Sequence, residues 1–576
     1  MDRRELLKWA GAMACAPGMC RDVWAAPEER QAPFLDRGRI QARNQNRSTV
    51  VCQNGIVCAS QPLAAMAGID VLKAGGNCID AAICTNAVLG VTEPASNGIG
   101  GDLFAIVWIE KDQQLYGLNA SGRAPYDWNL KAADRLGLSS IPRHSPLSWS
   151  VPGCVSGWGA LSERFGKLTL DKSLQPAIDY AREGFPLSPI IAGHFGFDPQ
   201  LDAGLAALYQ PGGEIPKYGD IFRNPLLANS YEAIARDGAS AFYQGTIAEQ
   251  IVKKSKELGG VMSLKDLKDH QPTWVDPVSS SYRGWDLWEI PPNGQGIAAL
   301  QILNLLENFD LGELEPNSAE HLHLFAEAKK LAFEDRAQYY ADPEFADVPI
   351  EWLISKAYAK KRAALIDPNQ ARKELRFGDP PLDSDTVYLT AADNEGNMIS
   401  LIQSIYYGFG SGICPDGVGF VMQNRGQAFS LDPKHRNRLE PHKRPFHTII
   451  PAFLTRDGQP VMSFGVMGGD FQPQGHSQVL MNMVDFKMSP QQAGEQPRIA
   501  HTGSSSPWGA KALGGGSLVL ERGIQPKVKQ QLADMGHVIQ PQLGAHGGYQ
   551  AIWRLEEPRR YFGGSDPRKD GAAIGY

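Results

Sequence analysis

Thr386 has the most distinctive chemical option in this sequence. It follows Asp385 at the point where a loop containing Pro368, Gly378 and Pro380 gives way to strand-forming residues. If the Asp385–Thr386 peptide bond is cut, Thr386 gains a free α-amine beside its hydroxyl. Because an α-amine has a pKa of about 8, it can act as general base for that hydroxyl at neutral pH. One residue would then be nucleophile and base together, whereas an uncut Thr386 is an ordinary strand residue.

Two glycine-rich turns offer further sites. The pair Gly468-Gly469 follows the apolar run Val461–Met467. Adjacent glycines at a strand end can turn two backbone N–H groups toward one point, as an oxyanion hole requires, although a plain turn is the alternative. The segment Glu93–Phe104 contains Asp102, which could hold a ligand or belong to a tight connection.

Other catalytic signatures are absent from the sequence, which has no G-x-S-x-G elbow, no P-loop, no H-E-x-x-H and no complete G-x-G-x-x-G. His321 and His323 share one predicted helix, but side chains two positions apart point away from each other. A metal site is therefore not predicted there, and the sequence predicts no cofactor.

The order of predicted elements indicates two sheets covered by helices. Helical patterns fill most of residues 55–91, 155–185 and 295–366, and return at about 476–487 and 525–535. One helix carries an apolar, core-facing stripe formed by Leu322, Phe325, Ala328, Leu331 and Ala332. From Thr386 onward, strands are predicted at Thr386–Ala391, Asn397–Ser404, Gly419–Gln423, Thr448–Leu454, Val461–Met467, Ser517–Leu520 and Tyr549–Leu555.

The chain resembles the γ-glutamyltransferase family of N-terminal-nucleophile hydrolases from about Gly55 to Tyr576. The resemblance rests on ordered blocks spread along this length. They are ASQPLAAMAGIDVLKAGGNCIDAA (59–82), EPASNGIGGDLF (93–104), GRAP (122–125), VPGCVSGW (151–158), Glu334-Asp335-Arg336, DTVYLTAADNEGN (385–397), KRPFHTIIP (443–451), GVMGGD (465–470) and GSDPRKDGAAIGY (564–576).

The resemblance implies a four-layer αββα sandwich and a precursor that cuts itself between Asp385 and Thr386. The products would be a large subunit, residues 49–385, and a small subunit, residues 386–576, which remain together as a heterodimer. Thr386 would attack a small-molecule amide and form an acyl-enzyme, which water or an amine then releases.

The resemblance also implies roles for individual residues. Arg123 aligns with the arginine that grips the substrate α-carboxylate, and a bidentate arginine–carboxylate pair suits that role. Ser404 aligns with the hydroxyl that hydrogen-bonds the nucleophile. Gly468 and Gly469 align with the oxyanion glycines.

Several substrate-binding positions depart from the family pattern. Tyr406 replaces an asparagine, while Arg425 and Ala428 replace the glutamine and aspartate around the γ-glutamyl α-amine. His447-Thr448 replaces a pair of serines, and His447 either contacts the substrate or hydrogen-bonds within the pocket wall. In these positions the chain looks more like the divergent branch that includes cephalosporin acylases and oxamate amidohydrolase.

The main prediction is cleavage of γ-glutamyl amides such as glutathione, the commonest activity of the family. The first alternative is an amidase for amino-free dicarboxylic monoamides, because losing the aspartate removes the partner of an ammonium and Arg425 adds a positive charge. The second alternative is an unprocessed binding protein without catalysis.

The N-terminus predicts export. Arg3 and Arg4 precede a weakly apolar segment, and residues 1–26 resemble a twin-arginine signal with cleavage near Ala25, followed by a linker over residues 27–48. A periplasmic location follows from that signal.

The bulk properties exclude two kinds of partner from the prediction. The net charge of −7 does not indicate the basic surface that binds nucleic acid. No stretch approaches the ~18 apolar residues that a membrane helix needs, so no membrane span is predicted.

Overall fold

The computed structural model describes residues 46–197, 202–373, 377–378, 385–509, 511–512, 514–542 and 546–576. The predicted signal, residues 1–26, and most of the predicted linker, residues 27–48, lie outside these described residues. No helix among the described residues is both long and apolar enough to cross a membrane.

Two antiparallel sheets of seven strands form the centre of the molecule. Their strands, in chain order, are β1 (Val50–Cys52), β2 (Ile56–Ala59), β3 (Asp102–Ile109), β4 (Gln114–Ala120), β5 (Thr273–Val275), β6 (Val278–Tyr282), β7 (Trp285–Glu289), β8 (Asp385–Ala392), β9 (Met398–Tyr406), β10 (Ala452–Arg456), β11 (Gln459–Val466), β12 (Tyr549–Leu555), β13 (Arg560–Ser565) and β14 (Ala572–Gly575). The first sheet has the order β1-β13-β12-β11-β10-β7-β6, and the second has the order β14-β2-β8-β9-β3-β4-β5.

The two sheets face each other across an apolar layer. Its buried members include Phe104, Ile402, Phe453 and Ile552, with Tyr388 at the centre. The strands of both sheets are rich in β-branched and aromatic residues, which pack well on a pleated surface. This layer fixes how strands of one sheet lie against strands of the other.

Helices cover the outer face of each sheet. The second sheet is covered by α1 (Pro62–Lys73), α2 (Cys78–Thr92), α3 (Cys154–Phe165), α4 (Leu170–Glu183) and α5 (Pro225–Asp237). The first sheet is covered by α6 (Gly296–Leu306), α7 (Ala319–Tyr339), α8 (Gln472–Val484) and α9 (Pro490–Glu495). The four-layer αββα prediction is therefore confirmed.

Shorter elements complete the fold. Further helices lie at Leu130–Arg135, Pro189–His194, Ala203–Tyr209, Ser240–Gln244, Thr246–Glu257, Leu264–Lys268, Ile350–Leu353, Lys356–Ala363 and Pro526–Asp534. Small sheets pair Phe185–Pro186 with Ile221–Phe222, Phe377–Gly378 with Lys511–Ala512, and Ser517–Leu520 with both Ile499–Thr502 and Val538–Gln540.

Both large sheets combine strands from before and after Thr386. In the first sheet β7 pairs with β10, and in the second sheet β2 pairs with β8 while β3 pairs with β9. A cut before Thr386 would leave these ladders intact. Backbone hydrogen bonds and a shared core would therefore hold the two resulting chains together.

Most predicted elements appear close to their expected bounds, with three corrections. The strand expected at Thr448–Leu454 begins only at Ala452, as β10. Gly419–Gln423 is irregular and not a strand, because its backbone bonds go to neighbouring loops: Gln423 N donates to Gly100 O and Met422 N donates to Ile413 O. The helix expected at about 476–487 begins earlier, at Gln472, and ends at Val484.

Candidate active site

Thr386 lies near the start of β8 in the second sheet, and its side chain is buried. The pairing of β8 with β9 shifts register between Asp385 and Val387. An irregularity of this kind re-aims a side chain at a strand end. The Thr386 hydroxyl donates a long hydrogen bond of 3.4 Å to the Ser404 hydroxyl on β9.

The Ser404 hydroxyl contacts both the nucleophile Thr386 and Arg425. Its hydroxyl oxygen accepts a hydrogen bond from Tyr406 N at 2.8 Å and another from the Arg425 guanidinium at 3.4 Å. The backbone of Tyr406 has a φ of 82°, which a bulky side chain rarely adopts. This turn of the chain directs the Tyr406 amide back at Ser404, so the predicted pair Thr386–Ser404 comes together in the structure.

Arg425 is fully buried beside this pair. Its guanidinium donates to the Thr448 hydroxyl at 2.8 Å and lies 4.1 Å from the centre of the Tyr406 ring. Among the side chains that the structure describes, which do not include that of Asp385, no carboxylate oxygen lies within 4.0 Å of it. Burial lowers the pKa of Arg425 to about 10, so the group stays charged at neutral pH. Within the described side chains, the site thus holds a cation without an anionic partner.

His447 is fully buried. Its Nδ1 accepts from Ile449 N, which assigns the ring proton to Nε2, and Nε2 donates to the Asp102 carboxylate at 3.1 Å. The other Asp102 oxygen accepts from the backbone N–H groups of Gly122 and Gly153. Burial, followed by the charge of Arg425, lowers the pKa of His447 to about 4. The imidazole is therefore neutral, and both of its ring nitrogens are hydrogen-bonded to protein.

The glycine pair follows β11, which faces β8 across the sheet interface. Thr390 Oγ1 lies 2.6 Å from Ser463 Oγ, and the Tyr388 ring covers Gly465, where an added Cβ would come within 2.4 Å of it. Side chains on one strand face recur every two residues. The next position along β8 is Thr386, and along β11 the chain continues to Met467 and then to the glycines. Thr386 and the glycine pair lie beyond the contact of Tyr388 with Gly465, each near an end of its strand.

Both glycines have left-handed backbones, with φ of 116° at Gly468 and 54° at Gly469. Such angles favour glycine because it lacks a Cβ. A turn with this backbone can aim successive N–H groups into one space. The pair thus has the conformation that an oxyanion hole needs.

Arg123 lies apart from this cluster. Its guanidinium donates to Glu344 at 2.7 Å and to the His442 carbonyl at 3.1 Å, and Asp342 lies 3.6 Å away. No contact within the described part of the chain joins it to Thr386, Ser404 or Arg425. Since its charge is already paired, Arg123 is less available to a substrate carboxylate than Arg425.

Two polar residues of the site were missed by sequence reasoning. Gln295 and Arg336 are buried behind the glycine pair and bond to its carbonyl and to Asp470. Arg336 belongs to the Glu334-Asp335-Arg336 block of the family resemblance, but no local pattern identifies its partners. The only local signal for Gln295 is an amide placed directly before the apolar helix α6.

A group with metal-ligand chemistry lies elsewhere, between α7 and the segment after Pro526–Asp534. His323, Glu327 and His537 bring ligand atoms within 4.8 Å of one another. His323 Nδ1 and His537 Nε2 share a hydrogen bond of 2.8 Å, and Lys330 is ion-paired to Glu327 at 2.7 Å. These groups satisfy one another, and we assign no metal to them.

Comparison with known proteins places this site in a family. The sequence pattern described as gamma-glutamyltranspeptidase matches residues 64–576. The chain belongs to the gamma-glutamyltranspeptidase family. It is therefore an enzyme of the Ntn-hydrolase type, as the resemblance implied.

Similar proteins in this family are named for different activities. The chain is 38% identical over 534 residues to the glutathione hydrolase-like YwrD proenzyme of Bacillus subtilis, covering 92% of this chain and 99% of that protein. It is 32% identical to the oxamate amidohydrolase proenzyme of Klebsiella pneumoniae, covering 92% and 100%. The crystal structure of cephalosporin acylase from Bacillus halodurans superposes with a TM-score of 0.84 at 41% identity, covering 94% and 99%.

The neutral state of His447 predicts how the stability of the fold depends on pH. A histidine whose pKa is lower in the folded than in the unfolded protein stabilises the fold above the unfolded pKa, and this is lost as the pH falls through the folded pKa. The window for His447 runs from 6.5 down to about 4. In His447→Gln, whose amide can still donate to Asp102, this contribution disappears.

We expect the free energy of unfolding of the wild type, measured with urea, to fall more steeply than that of His447→Gln as the pH drops from 6.5 to 4. The difference between the two should change by on the order of 3 kcal/mol, since one pKa unit corresponds to about 1.4 kcal/mol. Parallel pH profiles of the two proteins would show that His447 is not held neutral.

Proposed function

We propose that this protein is a self-processing N-terminal-threonine amidohydrolase whose preferred acyl group carries a carboxylate and no α-amine. The observation that carries the proposal is the Arg425 guanidinium, which is buried next to Thr386 and Ser404 and has no carboxylate partner among the described side chains. Glutaryl-type monoamides are representative substrates of this class.

The charge of the site favours an anionic acyl group. A buried cation is costly unless it is paired, and a carboxylate would supply that partner through charge-assisted hydrogen bonds. A γ-glutamyl group also carries an ammonium, which Arg425 would repel. Ala428, buried in the adjacent apolar cluster, offers no acid to bind that ammonium.

The names of the relatives support the same class without deciding the substrate. An oxamate amidohydrolase and a cephalosporin acylase are among them. The glutathione hydrolase-like relative keeps γ-glutamyl amides as the second candidate. The Arg425 environment makes us prefer the amino-free class over the γ-glutamyl substrates that the sequence alone suggested.

In the proposed mechanism, cleavage between Asp385 and Thr386 frees the Thr386 amine. That amine accepts the hydroxyl proton while Thr386 Oγ1 attacks the amide carbon. The N–H groups of Gly468 and Gly469 stabilise the oxyanion, and the proton passes to the leaving amine as the C–N bond breaks. Water then attacks the ester and returns the hydroxyl to Thr386.

In this proposal the mature enzyme consists of two subunits, residues 49–385 and residues 386–576. Export to the periplasm after loss of residues 1–26 is part of the same proposal.

The residues around Thr386 have positioning roles in this proposal. Ser404 positions the nucleophile, and Thr448 positions Arg425. Tyr406 closes the pocket over the guanidinium.

Thr386→Ala should abolish both self-cleavage and amide turnover, because the nucleophile of both reactions is lost. A denaturing gel of the purified wild type should show two fragments, and the Thr386→Ala precursor should show one. Thr390→Ala is the matched control, since Thr390 lies on the same strand and the same face. A Thr386→Ala protein that still splits at this bond would contradict the mechanism.

Arg425→Gln should lower kcat/KM for a glutaryl anilide by at least about 100-fold, because removing one partner of a buried ion pair costs ~3–5 kcal/mol. Turnover of a butyryl anilide, which lacks the carboxylate, should change little. Arg123→Gln serves as the comparison and should affect the glutaryl anilide far less.

Two results would overturn the proposed acyl specificity. One is a wild-type enzyme that turns over a γ-glutamyl anilide much faster than the glutaryl anilide. The other is an Arg123→Gln enzyme that loses more glutaryl turnover than Arg425→Gln. Either result would indicate that the substrate is bound as the family resemblance implies, with Arg123 holding its carboxylate.

A further inference from the structure

Gln295 connects two parts of the site that lie on different segments. Its side chain is fully buried directly before α6. The amide nitrogen donates to the Thr448 carbonyl at 2.7 Å and to the Gly469 carbonyl at 2.8 Å. Thr448 holds Arg425, and Gly469 belongs to the oxyanion glycines. One amide group therefore spans the carboxylate-binding side and the oxyanion side.

Arg336 fixes the orientation of this amide. Its NH1 donates to Gln295 Oε1 at 2.6 Å and to Asp470 at 2.7 Å, while NH2 donates to the other Asp470 oxygen at 3.1 Å. A flipped Gln295 would turn its NH₂ group toward the guanidinium, and both would be donors. Arg336 is itself buried and stacks on the Phe333 ring, 3.8 Å from its centre.

The glycine turn needs such support. The ladder of β11 ends at Val466, and the two left-handed glycines follow. Within the turn, Phe471 N donates to Gly468 O. The bonds from Gln295 to Gly469 and from Arg336 to Asp470 tie the turn to the helical layer behind it. A glycine pair has wide conformational freedom, so its N–H directions depend on these ties.

We propose that Gln295, oriented by Arg336, is a positioning residue that sets the distance between the carboxylate-binding pair Arg425–Thr448 and the oxyanion glycines. It acts through these groups and does not touch the substrate. The inference rests on the proposed function for the role of Arg425. Gln295 and Arg336 precede Thr386 in the chain, whereas Thr448 and Gly469 follow it. The large subunit would thus align two parts of the small subunit.

The test compares Gln295→Leu with Gln301→Leu in the full-length, self-processed protein. Gln301 is the matched control: it lies on the same helix, is buried, and bridges Asp335 and Tyr340 through both ends of its amide. Its partners are outside the site. Both variants therefore lose an equivalent buried amide, but only one loses the link between the two sides of the site.

We expect Gln295→Leu to lower kcat on the glutaryl anilide by roughly 100-fold, the size of effect that a misplacement of about 1 Å can cause. KM should change less than kcat, and the thermal midpoint should shift as it does in Gln301→Leu. Gln295→Glu keeps an acceptor for Arg336 but cannot donate to the two carbonyls, so it should lose kcat similarly.

Three results would overturn the proposal. The first is a kcat of Gln295→Leu within about threefold of the wild-type value, a loss well below the one that ~1 Å of misplacement causes. The second is an equal loss of kcat in Gln301→Leu. The third is full activity of Gln295→Glu. If the wild type prefers a γ-glutamyl anilide, the proposed acyl specificity fails, but the same comparison on that substrate still tests Gln295.

A readout without substrate complements the kinetics. Amide hydrogen exchange of the peptide spanning residues 467–471 should be faster in Gln295→Leu than in the wild type and in Gln301→Leu. Unchanged exchange in this peptide would show that Gln295 does not hold the turn, whatever anilide the enzyme accepts.

Discussion

A buried guanidinium that has no anionic partner among the side chains described by the structure is the feature on which the site depends. Arg425 is held by Thr448 and the Tyr406 ring, and it shares Ser404 with the nucleophile. These are neutral groups, so they orient the cation without cancelling its charge. A buried charge left in this state is unfavourable for the empty protein, and a carboxylate ligand relieves it. Substrate choice then follows from electrostatics next to the reacting hydroxyl.

The architecture makes this arrangement possible. Thr386 and Ser404 lie on adjacent strands of the second sheet, and the glycine pair follows a strand of the first sheet. Their relative position depends on the register in which the two sheets pack, which the contact of Tyr388 with Gly465 helps to define. Since both sheets contain strands from before and after Thr386, scission need not disturb this register.

Much of the fold could be predicted from sequence because it depends on local patterns. Ser517–Leu520 and Tyr549–Leu555 are strands with the bounds that their composition indicated. The apolar stripe around Phe325 is buried in α7. The exception, Gly419–Gln423, has strand-like composition, but its hydrogen bonds go to distant loops that no local pattern reveals.

The site was harder to predict because its contacts are long-range. Thr386 and Ser404 were identified through the family resemblance, and the structure brings them together. The pairing of Arg123 with Glu344, and the bond of His447 to Asp102, depend on residues hundreds of positions away. Gln295 had no signal beyond its place before a helix, since its role comes from carbonyls on two other segments.

The most direct test of this account is a crystal structure of the processed enzyme with glutarate bound. We expect one carboxylate of glutarate to accept hydrogen bonds from the Arg425 guanidinium, with the other carboxylate directed at Thr386 and the Gly468-Gly469 turn. Glutarate bound through Arg123, with Arg425 left untouched, would contradict the account.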